Sequence, residues 1–222
     1  MKRVFIIACL ALISFSTFGE GAADPVYGRS RIGLTADLGR GTENHTLFVT
    51  PDFKNANISL GKNYAFGVRY GYELTRSFEM DGDINFEGST LTNPVTNVKA
   101  RVGYGSVTLT ANYVLMLGKD FTKRLKFGAG ADYNFSPRLT IRGQRVQNGF
   151  DATWNYENAA GYHVNAMYEY FWSESWSADL GLKWTGIAYK FNSGTNLSYL
   201  KNEFREPGGN AINVVAGVYF HF

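Results

Sequence analysis

The chain has 222 residues and a formal net charge of +3; its 25 Gly, 17 Phe, 14 Tyr and 5 Pro suit strands and tight turns better than helices. The charge is too mild to argue for nucleic acid, and a single cysteine, Cys9, excludes a disulfide framework. Beyond the first residues, no segment carries the ~20 apolar residues that a membrane-spanning helix needs.

The first segment reads as a secretory signal peptide over residues 1–23. Lys2 and Arg3 precede the apolar run Val4 to Phe18, and Gly21 and Ala23 stand at −3 and −1 of a cleavage site, so the mature chain starts at Asp24. Cys9 falls in the removed part. The mature chain therefore has no thiol nucleophile and no thiolate metal site. Export also argues against a nucleic-acid partner.

A period of two then recurs. Ile32, Leu34, Ala36 and Leu38 share one strand face, with Arg31, Gly33, Thr35 and Asp37 opposite. The second strand sets Tyr64, Phe66, Val68, Tyr70 and Tyr72 against Arg69 and Glu73. The third sets Phe78, Met80, Ile84 and Phe86 against Glu79, Asp81, Asp83 and Glu87. The fourth carries Val107 to Leu115 on its apolar face, the fifth Leu125 to Phe135, the sixth Ala160 to Trp172, and the seventh Trp176 to Trp184. The eighth starts near Ala211. The apolar phase changes between Tyr104 and Val107, and again between Trp184 and Ile187. Gly105 and Gly186 sit at these switches, which predicts a β-bulge at or near each. The alternative is that the outer ends of both strands project beyond a membrane.

Only helices and closed barrels satisfy their backbone inside a bilayer. With helices excluded, residues 24–222 are expected to form one all-β domain, an eight-stranded antiparallel transmembrane up-and-down β-barrel. Short connections near Thr75, Gly118 and Ser173 alternate with long ones over residues 39–63, 88–97, 136–159 and 192–210. Outer-membrane barrels keep short turns in the periplasm and long loops outside. Both termini are thus expected in the periplasm of a bacterial outer membrane. Aromatic residues near both strand ends fit the two interfacial girdles.

Arg69, Glu73, Glu79, Asp81, Asp83, Lys126, Asp132, Glu169, Asp179 and Lys183 take the inward phase. In so narrow a barrel side chains fill the interior, and mixed charges there are expected to pair. A calcium site on Glu79, Asp81 and Asp83 is the alternative, but their spacing follows the strand period and needs no metal. No metal or cofactor is expected. The histidines are His45, in the first long loop, and His163 and His221, both inward. His163 is followed by Val164 and Asn165, so the His-x-Ser pattern of the PagL-type deacylases is absent. No Ser or Asp is evident as its partner, and no catalytic residue is assigned; the chain is not expected to be an enzyme. The long loops carry Leu47, Phe48, Leu139, Ile141 and Trp154, interleaved with Arg138, Arg142 and Arg145. Apolar loop residues can line a mouth or meet lipopolysaccharide, and the arginines can pair with lipid phosphates.

The terminal strand, with Val218, Phe220 and Phe222 on one face, resembles the last strand of outer-membrane barrels. That resemblance implies an assembly signal read by the barrel-assembly machinery. Phe127-Gly128-Ala129-Gly130-Ala131-Asp132-Tyr133-Asn134-Phe135, Glu174 to Trp184 and the terminal strand are similar to the OmpW family of small outer-membrane barrels. Opacity-type and OmpX-like barrels share much of this pattern. The OmpW resemblance implies a conduit for small hydrophobic molecules with lateral release into the membrane. The inward list is polar along most of its length, which places any apolar pocket near the outer mouth, at Leu47, Phe48, Leu139, Ile141 and Trp154. A surface-interaction barrel acting through its loops is the second expectation, and a lipid-modifying enzyme the third.

Overall fold

The computed structural model describes residues 30–49, 55–93, 98–118, 122–143 and 150–222. The expected leader with Cys9, the expected start at Asp24 and Arg145 lie outside the described residues. Twelve strands are described: β1 (Ser30–Gly41), β2 (His45–Val49), β3 (Asn55–Ile58), β4 (Tyr64–Thr75), β5 (Phe78–Thr90), β6 (Val98–Leu117), β7 (Lys123–Gly143), β8 (Phe150–Tyr156), β9 (Ala159–Ser173), β10 (Trp176–Ile187), β11 (Phe191–Gly194) and β12 (Ala211–His221).

Eight of them form the wall. β1, β4, β5, β6, β7, β9, β10 and β12 pair in that order, all antiparallel, and β12 returns to β1. The sheet has closed on itself, and these are the eight strands read from the sequence. Closure removes the unpaired edges that an open sheet would present. At the seam, Ser30 N donates to Phe222 O at 3.2 Å and Phe222 N to Ser30 O at 2.9 Å.

The outward face is the apolar one. Leu34 is 71% exposed, Phe86 75% and Phe222 61%, and every wall strand contributes to the same belt. On β12 the outward set Ile212, Val214, Ala216, Val218, Phe220 and Phe222 is unbroken. At about 3.4 Å per residue and a tilt of about 40°, that run covers roughly 26 Å of height, the span of a lipid-facing band. Trp172 stacks on Trp176 at 6.5 Å, and Trp176 meets Phe220 edge-on at 5.4 Å, forming an aromatic rim at the short-turn end. This is a transmembrane barrel, apolar outside and, at the level of that belt, polar within.

The expected bulge near Gly105 is present, although its extra residue is on the facing strand β7, and the one at Gly186 is corrected. In β6 the even-numbered residues point inward from Val98 to Val114 without interruption. In β10 the odd-numbered ones do so from Ser177 to Ile187, and its pairing with β9 runs through Gly186 in one register. Neither strand changes phase. The interior itself changes chemistry, so apolar residues that would face lipid lower down face inward here. The one bulge nearby lies in β7. Phe135 pairs with Gly105 and Arg138 with Gly103, so Ser136 and Pro137 together oppose Tyr104. Ser136 has φ 54, and Pro137 has no N–H to give. There the inward set of β7 switches from Asp132 and Asn134 to Leu139 and Ile141.

The long loops also hold unexpected strands. β2 pairs β3 as a hairpin, β8 extends the β7 wall, and β11 adds to β8. β8 and β9 keep one register along β7, from Arg138 opposite Asn155 to Asn134 opposite Ala159. Together they make one long strand interrupted at Glu157 and Asn158, beside the Ser136-Pro137 bulge.

Candidate functional site

The interior is built in layers. Nearest the short turns, Arg124 pairs with Glu73 and lies over the Phe171 ring at 4.6 Å. The Ser177 hydroxyl donates to Glu169 Oε1 at 2.7 Å and meets His221 Nε2 at 2.7 Å. Because a hydroxyl has one proton, the second contact is donated by the imidazole.

Arg31 organises the next layer. Its guanidinium reaches Glu79 Oε1 at 2.5 Å, both Asp81 oxygens at 2.9 Å and Glu169 Oε1 at 3.0 Å, and it lies 4.2 Å from the Tyr219 ring centroid. Lys126 Nζ binds the other Glu169 oxygen at 3.1 Å and approaches Glu79 at 3.5 Å and Asp179 at 3.8 Å. Glycine makes the room. A Cβ on Gly71 would lie 2.5 Å from Arg31 Nε and from Asp81, and one on Gly33 would lie 2.4 Å from the Tyr219 ring. Above, Arg69 Nε donates to Asp83 at 2.5 Å and Nη1 to the Tyr219 hydroxyl at 3.0 Å, while Thr108 donates to Asp83 at 2.7 Å.

His163 has the partners that the sequence did not reveal. Its Nδ1 lies 2.7 Å from Asp132 Oδ2 and its Nε2 2.9 Å from the Thr110 hydroxyl, while Lys183 donates to Asp132 Oδ1 at 3.2 Å. Hydroxyl, imidazole and carboxylate stand in line, as in a hydrolase. All are buried, however, and a Cβ on Gly130 would touch the imidazole at 2.6 Å. The last ionic layer joins Lys62 to Asp37 at 2.5 Å and to Glu87 at 3.5 Å, with Ser106 donating to Glu87 at 2.6 Å.

All ten residues of the expected charge network line this interior, but the reading missed its centre. Arg31 was legible, since it shares the polar phase of β1 with Asp37. Lys62 lies in a connection, where no periodicity marks it. Among the described residues no group of three or more His, Cys, Asp or Glu is arranged to hold a metal ion.

Beyond Asn134, Ser106 and Thr185 the interior becomes apolar. Leu47, Leu139, Ile141 and Trp154 are buried in one cluster with Val102, Tyr104, Tyr156, Ile187, Tyr189 and Phe204, and Phe48 packs against it. The five expected mouth residues thus come together, although inside the wall and not in exposed loops. The 3-10 turns Leu197–Tyr199 and Asn202–Phe204 cap the cluster: Phe204 is fully buried, 5.3 Å from the Trp154 ring and 5.5 Å from His45. Lys201 Nζ ties the cap to Thr46 O at 2.6 Å. A cavity of about 490 Å³ lies at the break, bordered by Ser136, Pro137, Tyr156, Glu157 and Asn158. Tyr156 both borders that cavity and belongs to the apolar cluster. Burial raises its phenol pKa, and its hydroxyl has no hydrogen-bond partner among the described residues.

No protein-family model and no curated protein matches the sequence. Solved structures do match in shape. Neisserial surface protein A superimposes with a TM-score of 0.52 at 13% identity, over 87% of this chain and 97% of that one. The outer membrane protein OprG from Pseudomonas aeruginosa gives 0.53 at 11% identity, over 88% and 96%. The fold is that of the small outer-membrane barrels.

Proposed function

We propose that the protein resides in the bacterial outer membrane, short turns and both termini in the periplasm, and takes up small apolar molecules through its outer compartment. The observation that carries this reading is the change of the interior from ionic to apolar at the level where the wall breaks at Ser136-Pro137. A solute crossing the lumen would have to displace buried, paired charges, which is costly. A solute held among Leu139, Ile141 and Trp154 has a shorter way out, past Tyr156 and Asn158. It would emerge beside Tyr133, whose hydroxyl accepts from Asn158 at 3.1 Å. This is the lateral release implied by the OmpW resemblance, and the polar lumen that opposed it belongs to the membrane-level section alone. The reading is non-enzymatic, because the Thr110–His163–Asp132 line is enclosed on all sides by the wall and its ion pairs.

Uptake then requires the cap to open. In protein made from residue 24 onward, which has no cysteine of its own, T46C and K201C can be joined by a short thiol cross-linker that a reductant cleaves. Flux of a small apolar dye into vesicles should fall at least ten-fold when cross-linked and return on cleavage. Flux unaffected by the cross-link would sink the reading. Hydrolysis of a lipid, lost in H163A, would replace it with an enzymatic one.

A further inference from the structure

We infer that the outward face of β6 and β7 beyond the apolar belt binds the phosphates of the outer-leaflet glycolipid, lipopolysaccharide. The inference rests on the outer-membrane placement proposed above, but not on uptake. Lys99 and Arg101 on β6 and Arg138 and Arg142 on β7 are all exposed. With Thr140 and Gly103 they line a cavity of about 500 Å³. The register sets Lys99 directly opposite Arg142, and Arg101 opposite Thr140.

Like charges directly across a strand pair destabilise it. These four have little protein charge to offset them. Arg138 donates to Asn155 Oδ1 at 3.0 Å, and Arg101 lies 6.0 Å from the Tyr64 ring. Two carboxylates flank the row on β8's side, Asp151 opposite Arg142 and Glu157 beyond Asn155. Against these two carboxylates the row sets four cations, so the cavity keeps an excess of positive charge. Its floor is open, since a Cβ on Gly103 would meet nothing within 4 Å. Three guanidinium forks, an ammonium and a hydroxyl around such a space suit a phosphate, which Arg binds bidentately.

Height selects the source of that phosphate. Tyr133 is half exposed at the top of the belt, where tyrosines sit at headgroup level. Arg138 lies beyond it by four residues of the facing strand, Val107 to Gly103, or about 14 Å of strand and ~10 Å of height at the usual tilt. A phospholipid headgroup layer adds only ~5–8 Å beyond the hydrocarbon. A phosphorylated sugar headgroup reaches the row; a phospholipid does not.

The test uses the protein refolded in phosphatidylcholine vesicles, with labelled lipopolysaccharide as probe and folding checked by the heat-dependent shift on gels. K99Q/R101Q/R138Q/R142Q should bind at least ten-fold more weakly than the unsubstituted protein, and with less dependence on salt. The same glycolipid stripped of its phosphates should bind both equally. If the quadruple variant does not fold, K99Q/R142Q and R101Q/R138Q should each lose about three-fold. Equal affinities for the phosphorylated glycolipid would overturn the inference. So would displacement of the probe by inorganic phosphate or a sulfated polysaccharide at matched concentration, which would point to a soluble anion. Glycolipid binding by a protein that moves no apolar dye would sink only the uptake reading, and the converse result only this one.

Discussion

Arg31 shows how much one side chain carries in this wall. It is the shared partner of Glu79, Asp81 and Glu169, and all four are buried. Replacing a buried ion pair with apolar groups can be neutral, but removing one partner leaves charge uncompensated, at about 3–5 kcal/mol. Arg31→Met should therefore lower stability by about that amount in urea unfolding from vesicles. Adding E79Q and D81N, which remove two of the stranded carboxylates, should restore part of it. A loss under 1 kcal/mol in the single variant would mean that Lys126 takes over the cluster. The alternation of strand residues made most of this legible: ten inward charges could be named from parity alone. Which charge meets which could not, because pairing across the lumen depends on the stagger between strands. Thr110, His163 and Asp132 lie on three strands and meet only once that stagger is set.

At the scale of elements, the bulge in β7 decides what the outer compartment contains. A shift of one residue moves every later side chain of a strand to the other face. Ser136 and Pro137 make that shift once and so bring Leu139 and Ile141 inward beside Trp154. Inserting one alanine after Pro137 should turn both residues outward and empty the compartment. The expected result is rapid proteolysis within residues 138–160, while the membrane-level barrel keeps its heat-dependent gel shift. Equal protease resistance would show that the extension re-registers. The wall strands were readable because each repeats apolar-out, polar-in over a whole membrane thickness. β2, β3, β8 and β11 were not, because they bury their apolar faces inside an extension where neither face meets lipid. The same reversal made Val102 and Tyr104 look out of phase with Val107 when β6 had not changed phase.

For the whole molecule, the seam between β1 and β12 has a consequence for how the protein could be rewired. The finished ring has no first strand: each wall strand is held on both sides by antiparallel neighbours. Ser30 and Phe222 are hydrogen-bonded to each other, so a short linker can fuse the two strands and new ends can be cut in the turn at Arg76-Ser77. Such a circular permutant retains every wall pairing and should fold spontaneously in vesicles. It would finish on β4, however, with Val218, Phe220 and Phe222 in mid-chain. If those residues act as the expected terminal signal, the permutant should insert well in vitro and poorly in cells. Equal insertion in both would place the signal elsewhere in the wall. Shape and address, which coincide in the natural chain order, would then be measured as separate properties.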